Sequence, residues 1–160
     1  MKKIFNIFII FLSFLLINWS KQNSNAKLCY GNIFLANGDK EELVDVKIGT
    51  STEFNSNHNI IVFRQPKNTK TNPKNYIEYL VDLDKIAEID VAHEDSIYKF
   101  ESDEYIKIKI NFLNQSTEDY LIARNKKIIG KVKKNGIVAA YNFDAMNKLV
   151  MEKCKEREDN

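Results

Sequence analysis

Tyr105-Ile106-Lys107-Ile108-Lys109-Ile110-Asn111-Phe112 is the stretch that decides the fold class. Ile106, Ile108, Ile110 and Phe112 fall on one side of an extended chain. Lys107, Lys109 and Asn111 fall on the other. A strict period of two means a strand with one face buried and one face wet.

Downstream, residues 113–117 turn the chain, and residues 119–123 and 127–133 read as further strands. Lys134-Asn135-Gly136 is a turn that returns residues 137–143 as a hairpin, because Asn and Gly both tolerate positive φ. Upstream, residues 97–100 make a short strand after an acidic turn at residues 92–96. Ile77, Tyr79, Val81 and Leu83 alternate as a strand. Leu83, Ile86 and Ile89 also fit a short helical stripe, and periodicity alone does not decide so short a piece. Residues 59–64 are a compact apolar strand. Residues 65–75 hold both prolines and three lysines and read as an exposed loop. Asn37-Gly38 joins a strand at residues 30–36 to a return strand at residues 43–48.

The C-terminal end reads as a helix. Phe143, Met146, Leu149, Val150 and Cys154 recur at steps of three and four, and Asn142 or Asp144 stands where a cap belongs. The expected fold is mainly β. It has about eight short strands in a sandwich or partly open barrel, closed by one C-terminal α-helix and preceded by an N-terminal signal peptide.

Two segments resemble each other. Residues 81–89 match residues 141–149 in their apolar positions and in Asp84 against Asp144. Ile33, Leu35, Asn37 and Leu43 match Ile110, Phe112, Asn114 and Tyr120 in spacing. The expectation is one domain, residues 27–160, with two weakly similar halves at residues 30–91 and 104–151. The units differ in length, which argues against a regular repeat array.

Residues 1–26 have the make-up of an export signal. Lys2 and Lys3 precede an apolar run over residues 4–17, and Ser24-Asn25-Ala26 places small residues where a signal peptidase cuts. The run of 14 residues is shorter than the roughly 20 that a membrane-spanning helix needs. Cleavage after Ala26 leaves 21 basic and 22 acidic residues, a net charge of −1 in place of +2. General attraction to nucleic acid is therefore not expected, and membrane contact is expected only through an uncleaved signal. The location implied is periplasmic or secreted. Cys29 and Cys154, the two cysteines of the chain, then meet an oxidising compartment and are expected to join the two ends of the domain.

Residues with reactive chemistry are sparse. His58 lies in a polar loop and His93 in Ala92-His93-Glu94-Asp95. With Cys29 and Cys154 they lack the short paired spacing of zinc sites, so no metal and no cofactor are expected. There is no Gly-x-Ser-x-Gly elbow and no glycine-rich phosphate loop. Asp84 reads as a turn cap. Lys127, Lys131 and Lys133 lie in the densest basic stretch, and Lys67 and Lys70 in the proline loop. These are the candidate contact surface. Lysines also discourage edge-to-edge strand pairing.

The expected function is an exported, non-enzymatic binding or structural module acting through contacts with a protein partner. One alternative is a small exported hydrolase using His93 with Glu94 or Asp95. The other is an inhibitor or immunity-type protein binding through residues 65–75.

Overall fold

Residues 27–50, 58–64, 76–92, 98–100 and 103–156 are described by a computed structural model. The expected signal peptide at residues 1–26, residues 65–75 with Lys67 and Lys70, and His93, Glu94 and Asp95 lie outside them. Among the described residues there are eleven strands: β1 Lys27–Leu35, β2 Lys40–Gly49, β3 Asn59–Arg64, β4 Ile77–Asp82, β5 Ile86–Val91, β6 Tyr98–Phe100, β7 Asp103–Phe112, β8 Thr117–Ala123, β9 Lys127–Val132, β10 Val138–Asn142 and β11 Met146–Glu156.

Antiparallel pairing joins all of them in one sheet, in the order β10-β9-β2-β1-β11-β5-β7-β8-β3-β4, with β6 beside β7. The sheet cannot be flat. β1 and β3 stand five places apart, about 24 Å at the usual strand spacing. Yet the Lys27 amide donates to His58, next to β3, at 2.6 Å. The sheet therefore curls until β1 and the start of β3 approach, and its apolar side chains meet in one core. Ile33, Leu43, Ile60, Leu83, Ile89, Ile108, Ile122, Ile128, Phe143 and Leu149 are all buried there.

The strand order reads the same from either end when β1 to β5 are set against β7 to β11. The centre is the antiparallel pair β5–β11, where Ile89 faces Leu149. These two residues occupy matching places in the similar segments of the sequence. Local bonding follows the same relation. Leu35 and Phe112 each accept the amide three residues on, at 3.0 and 2.9 Å. Asn37 and Asn114 each accept the amide two residues on, at 3.0 Å in both turns. Ala36 donates to the Ala145 carbonyl and Leu113 to that of Lys85, at 2.9 Å in both cases. The units interlock, because β9 pairs with β2 and β3 with β8.

One prediction arises from this correspondence. Gly38 has φ 92° and its counterpart Gln115 has φ 69°. A side chain in the left-handed region costs roughly 1–2 kcal/mol, while glycine's extra chain entropy costs roughly 0.5–1 kcal/mol. Gln115→Gly is expected to stabilise the protein by about 0.5–1 kcal/mol, read as a higher urea midpoint at unchanged slope.

The expected C-terminal helix is absent. Phe143–Ala145 is a single 3-10 turn, and Met146–Glu156 is a strand in the middle of the sheet. The spacing of three that suggested a helix comes from β-bulges. Leu35 faces Met146 and Phe34 faces Lys148, so Asn147 is extra; Tyr30 faces Lys153 and Gly31 faces Met151, so Glu152 is extra. Each extra residue turns a step of two into a step of three. The same holds between Ile86 and Glu88 on β5, after the 3-10 turn Leu83–Lys85. The strands not named from the sequence are β5 and β11, where steps of three concealed the extended chain. No helix among the described residues is long and apolar enough to cross a membrane.

Candidate functional site

Both ends of the sheet carry exposed apolar side chains. Among the described residues, β10 pairs with β9 alone and β4 with β3 alone. Val138 is 63% exposed and Ile137, just before it, 61%; on β4, Leu80 is 66% and Ile77 50% exposed. Sheet edges in soluble proteins are normally guarded by charge, proline or bulges. β10, Val138-Ala139-Ala140-Tyr141-Asn142, has none of these.

The predicted lysines lie one strand inward. Lys131 faces Val138 and Lys127 faces Asn142, both on β9. Lys127 and Lys131 point away from the core, exposed on either side of Ile129, and enter none of the ion pairs seen among the described residues. Lys133 differs. It donates to Glu42 at 2.7 Å, a bond that holds the Glu42 carboxyl below its usual range. Of the five predicted lysines three are described, and two of these, next to an uncharged edge, enter no ion pair among the described residues. Tyr141 on β10 faces inward. Burial, and then its bond to Glu41, push its hydroxyl up to about 12.

The disulfide lies in the middle of the strand order. Cys29 on β1 and Cys154 on β11 are directly opposed and bonded, with Cα atoms 4.0 Å apart. Bonding removes both thiols from any metal site. His58 packs on this bond. Its Nε2 accepts the Lys27 amide at 2.6 Å, so the neutral ring carries its proton on Nδ1, facing Cys29 Sγ at 4.0 Å. Lys27 Nζ pairs with Asp84, and that bond lowers the Asp84 carboxyl. Asp84 is therefore an ion-pair partner and not the cap expected; neither 3-10 turn has a side-chain cap. Its counterpart Asp144 accepts from Arg124 Nε at 2.8 Å, and Arg124 also holds Glu104 at 2.6 Å.

A pH dependence follows. Burial, then the Lys27 charge, depress the His58 imidazole below its ordinary 6.5. The fold favours the neutral ring, so its stabilisation is complete above the unfolded value. It is lost as pH falls through 6.5 toward the lower folded value. The denaturation midpoint is expected to drop between pH 7.5 and 5.5, and His58→Gln, which keeps an acceptor, is expected to flatten that drop. An equal drop in the variant would exclude His58 as the source.

An open groove of about 510 Å³ lies where β3 meets β8, lined by Phe63, Arg64, Tyr98, Lys107 and residues 117–121. Its charges are largely answered within the protein. Arg64 sits over the Tyr120 ring at 4.7 Å and pairs with Glu118, and Lys107 lies 3.8 Å from Asp119. No group of three His, Cys, Asp or Glu among the described residues could hold a metal.

Sequence reasoning missed the two apolar edges, the contact of His58 with the disulfide, and the burial of Lys126, which stands where His58 stands in the other unit. The run Val-Ala-Ala-Tyr-Asn without a charge was the available signal for the β10 edge. No known protein family, curated protein or solved structure matches the chain.

Proposed function

We propose that this is an exported, disulfide-closed β module that works by binding protein along the edges of its sheet and catalyses no reaction. The observation that carries the reading is β10, an uncharged edge strand with Val138 and Ile137 exposed, matched at the other end of the sheet by Leu80 and Ile77 on β4. Such an edge offers unpaired backbone donors and acceptors to an incoming strand, and the apolar side chains add contact area. Residues 1–26 supply the export signal in this reading. Export to the periplasm or the exterior agrees with the Cys29–Cys154 bond. We read the two interlocked units as copies of one duplicated segment.

Photo-crosslinking side chains at Val138 and Leu80, in the protein's own host, test the reading. Discrete protein adducts from both positions, and none from the exposed Lys155, are expected. Background labelling alone at both edges would remove the proposal. The hydrolase reading built on His93 with Glu94 or Asp95, and the inhibitor reading built on residues 65–75, rest on sequence alone.

A further inference from the structure

We infer that the protein edge bound by this chain is that of a second copy of itself, with β10 of one copy adding to β4 of the next. The inference rests on the edge-binding reading and names its partner.

The first argument is direction. Every neighbouring pair along the order from β10 to β4 is antiparallel. Ten alternating strands leave β10 and β4 running in opposite directions. A second copy in the same orientation therefore continues the alternation when its β10 lies beside β4.

The second argument is charge. On β4, Glu78, Leu80 and Asp82 alternate with Tyr79 and Val81, which turn toward the core. On the other edge, Val138 and Ala140 face outward, with Lys131 and Lys127 beside them on β9. Setting Leu80 against Ala140 of the second copy fixes the rest of an antiparallel register. Glu78 then stands opposite Asn142, whose β9 neighbour is Lys127. Asp82, which Lys85 of its own copy also holds at 3.0 Å, stands opposite Val138, whose β9 neighbour is Lys131. Both acids and both lysines lie on the outer face with one strand between them, about 9.5 Å apart across the sheet, within reach of long side chains. Leu80 and Val138 meet the partner strand instead of water.

Like-with-like edges do not match in this way. Two β4 strands paired about Leu80 set Glu78 against Asp82, a like-charge pair that is destabilising. Two β10 strands bring lysines alone. The geometry thus selects a heterologous contact, which leaves a free edge at each end and propagates into a ring or a filament.

The test uses the oxidised protein as its host processes it, and two edge-blocked variants, Leu80→Lys, which adds a lysine to those at Lys127 and Lys131, and Val138→Glu, which sets a like charge against Asp82. Both positions are more than 60% exposed, so both variants are expected to fold, with unchanged circular dichroism. Sedimentation should show the mass of the parent rising past that of a dimer with concentration, and less so at high salt. Each variant alone should associate at least ten-fold more weakly. An equimolar mixture should form a dimer and stop there, because one variant keeps β10 and the other keeps β4. A parent that stays monomeric would overturn the inference. So would a variant that still dimerises alone, since that requires a like-edge contact. Edge adducts in the host that contain only a different protein would also overturn it, while leaving the edge-binding reading intact. Absence of any edge adduct would remove the reading itself.

Discussion

Replacing both cysteines, Cys29→Ala with Cys154→Ala, is expected to lower the thermal midpoint by about 15 °C. The bond closes a loop of sequence separation 125. In the chain-entropy account, a loop of that length contributes roughly 4–5 kcal/mol by restricting the unfolded chain. Domains of this size lose roughly 3–4 °C for each kcal/mol. The fold itself favours the bond. β1 and β11 pair from Lys27↔Glu156 to Leu35↔Met146, so the two cysteines face each other whether or not they are joined. The effect should therefore appear mostly in stability, with little change in the folded state. Far-ultraviolet dichroism of the variant at low temperature should match that of the parent. A midpoint shift below about 4 °C, equivalent to roughly 1 kcal/mol, would mean that the unfolded chain is already restricted. Domains are typically stable by roughly 5–15 kcal/mol, so a loss of this size could leave the reduced protein marginal. An oxidising environment would then be a condition of stable folding.

The second large effect is expected at Phe143. This ring is fully buried in the 3-10 turn Phe143–Ala145, between the edge strand β10 and the central strand β11. Truncation of a buried Phe to Ala typically costs about 3–5 kcal/mol, the sum of lost burial and residual cavity. Its position adds a local consequence. Among the described residues β10 pairs on one side only, with β9, and Phe143 anchors its C-terminal end to the core. Phe143→Ala is therefore expected to loosen β10 before the rest of the sheet. Hydrogen exchange at Val138–Asn142 should rise more than exchange on β7. The counterpart Leu83, also fully buried, should show a loss of about 2–5 kcal/mol as Leu83→Ala, with loosening of β4 in place of β10. Uniform loosening in both variants would show that the two turns do not anchor their edges separately. It would also predict weaker self-association from general destabilisation, which the edge-blocked variants avoid.

Two kinds of residue mislead a linear reading of this chain. The first is the extra residue of a bulge. Asn147 and Glu152 on β11 shift the apolar positions Met146, Leu149, Met151 and Cys154 to helical spacing, although the backbone stays extended. Asp45 does the same on β2, at φ 61°, between Val44 and Val46. The second is the acid beside a turn. Asp84 and Asp144 look like caps along the chain, but Lys27 and Arg124 reach them from other strands. The candidate surface misleads in a related way. Lys127, Lys131 and Lys133 were visible as a basic run, but only pairing shows that Lys133 is engaged by Glu42 and that the other two flank an uncharged edge.

What the sequence by itself determined is local. Period two in residues 105–112 means strand whatever surrounds it, because alternate side chains of an extended chain face opposite ways. Asn37-Gly38 and Asn135-Gly136 mean turns, because both glycines take the positive φ that a tight reversal needs, 92° and 69°. The facing of Cys29 and Cys154 was legible from their positions near the two ends of the domain. Only the tertiary structure decided that β11 is a central strand, that the two units interlock, and that β4 and β10 become the edges. Those outcomes depend on partners far apart in the chain, such as Ile89 with Leu149 and Tyr30 with Val44 and Lys153. Whether a strand becomes an edge or a centre depends on how many partners reach its backbone. That number is a property of the whole sheet and leaves little trace in any one segment.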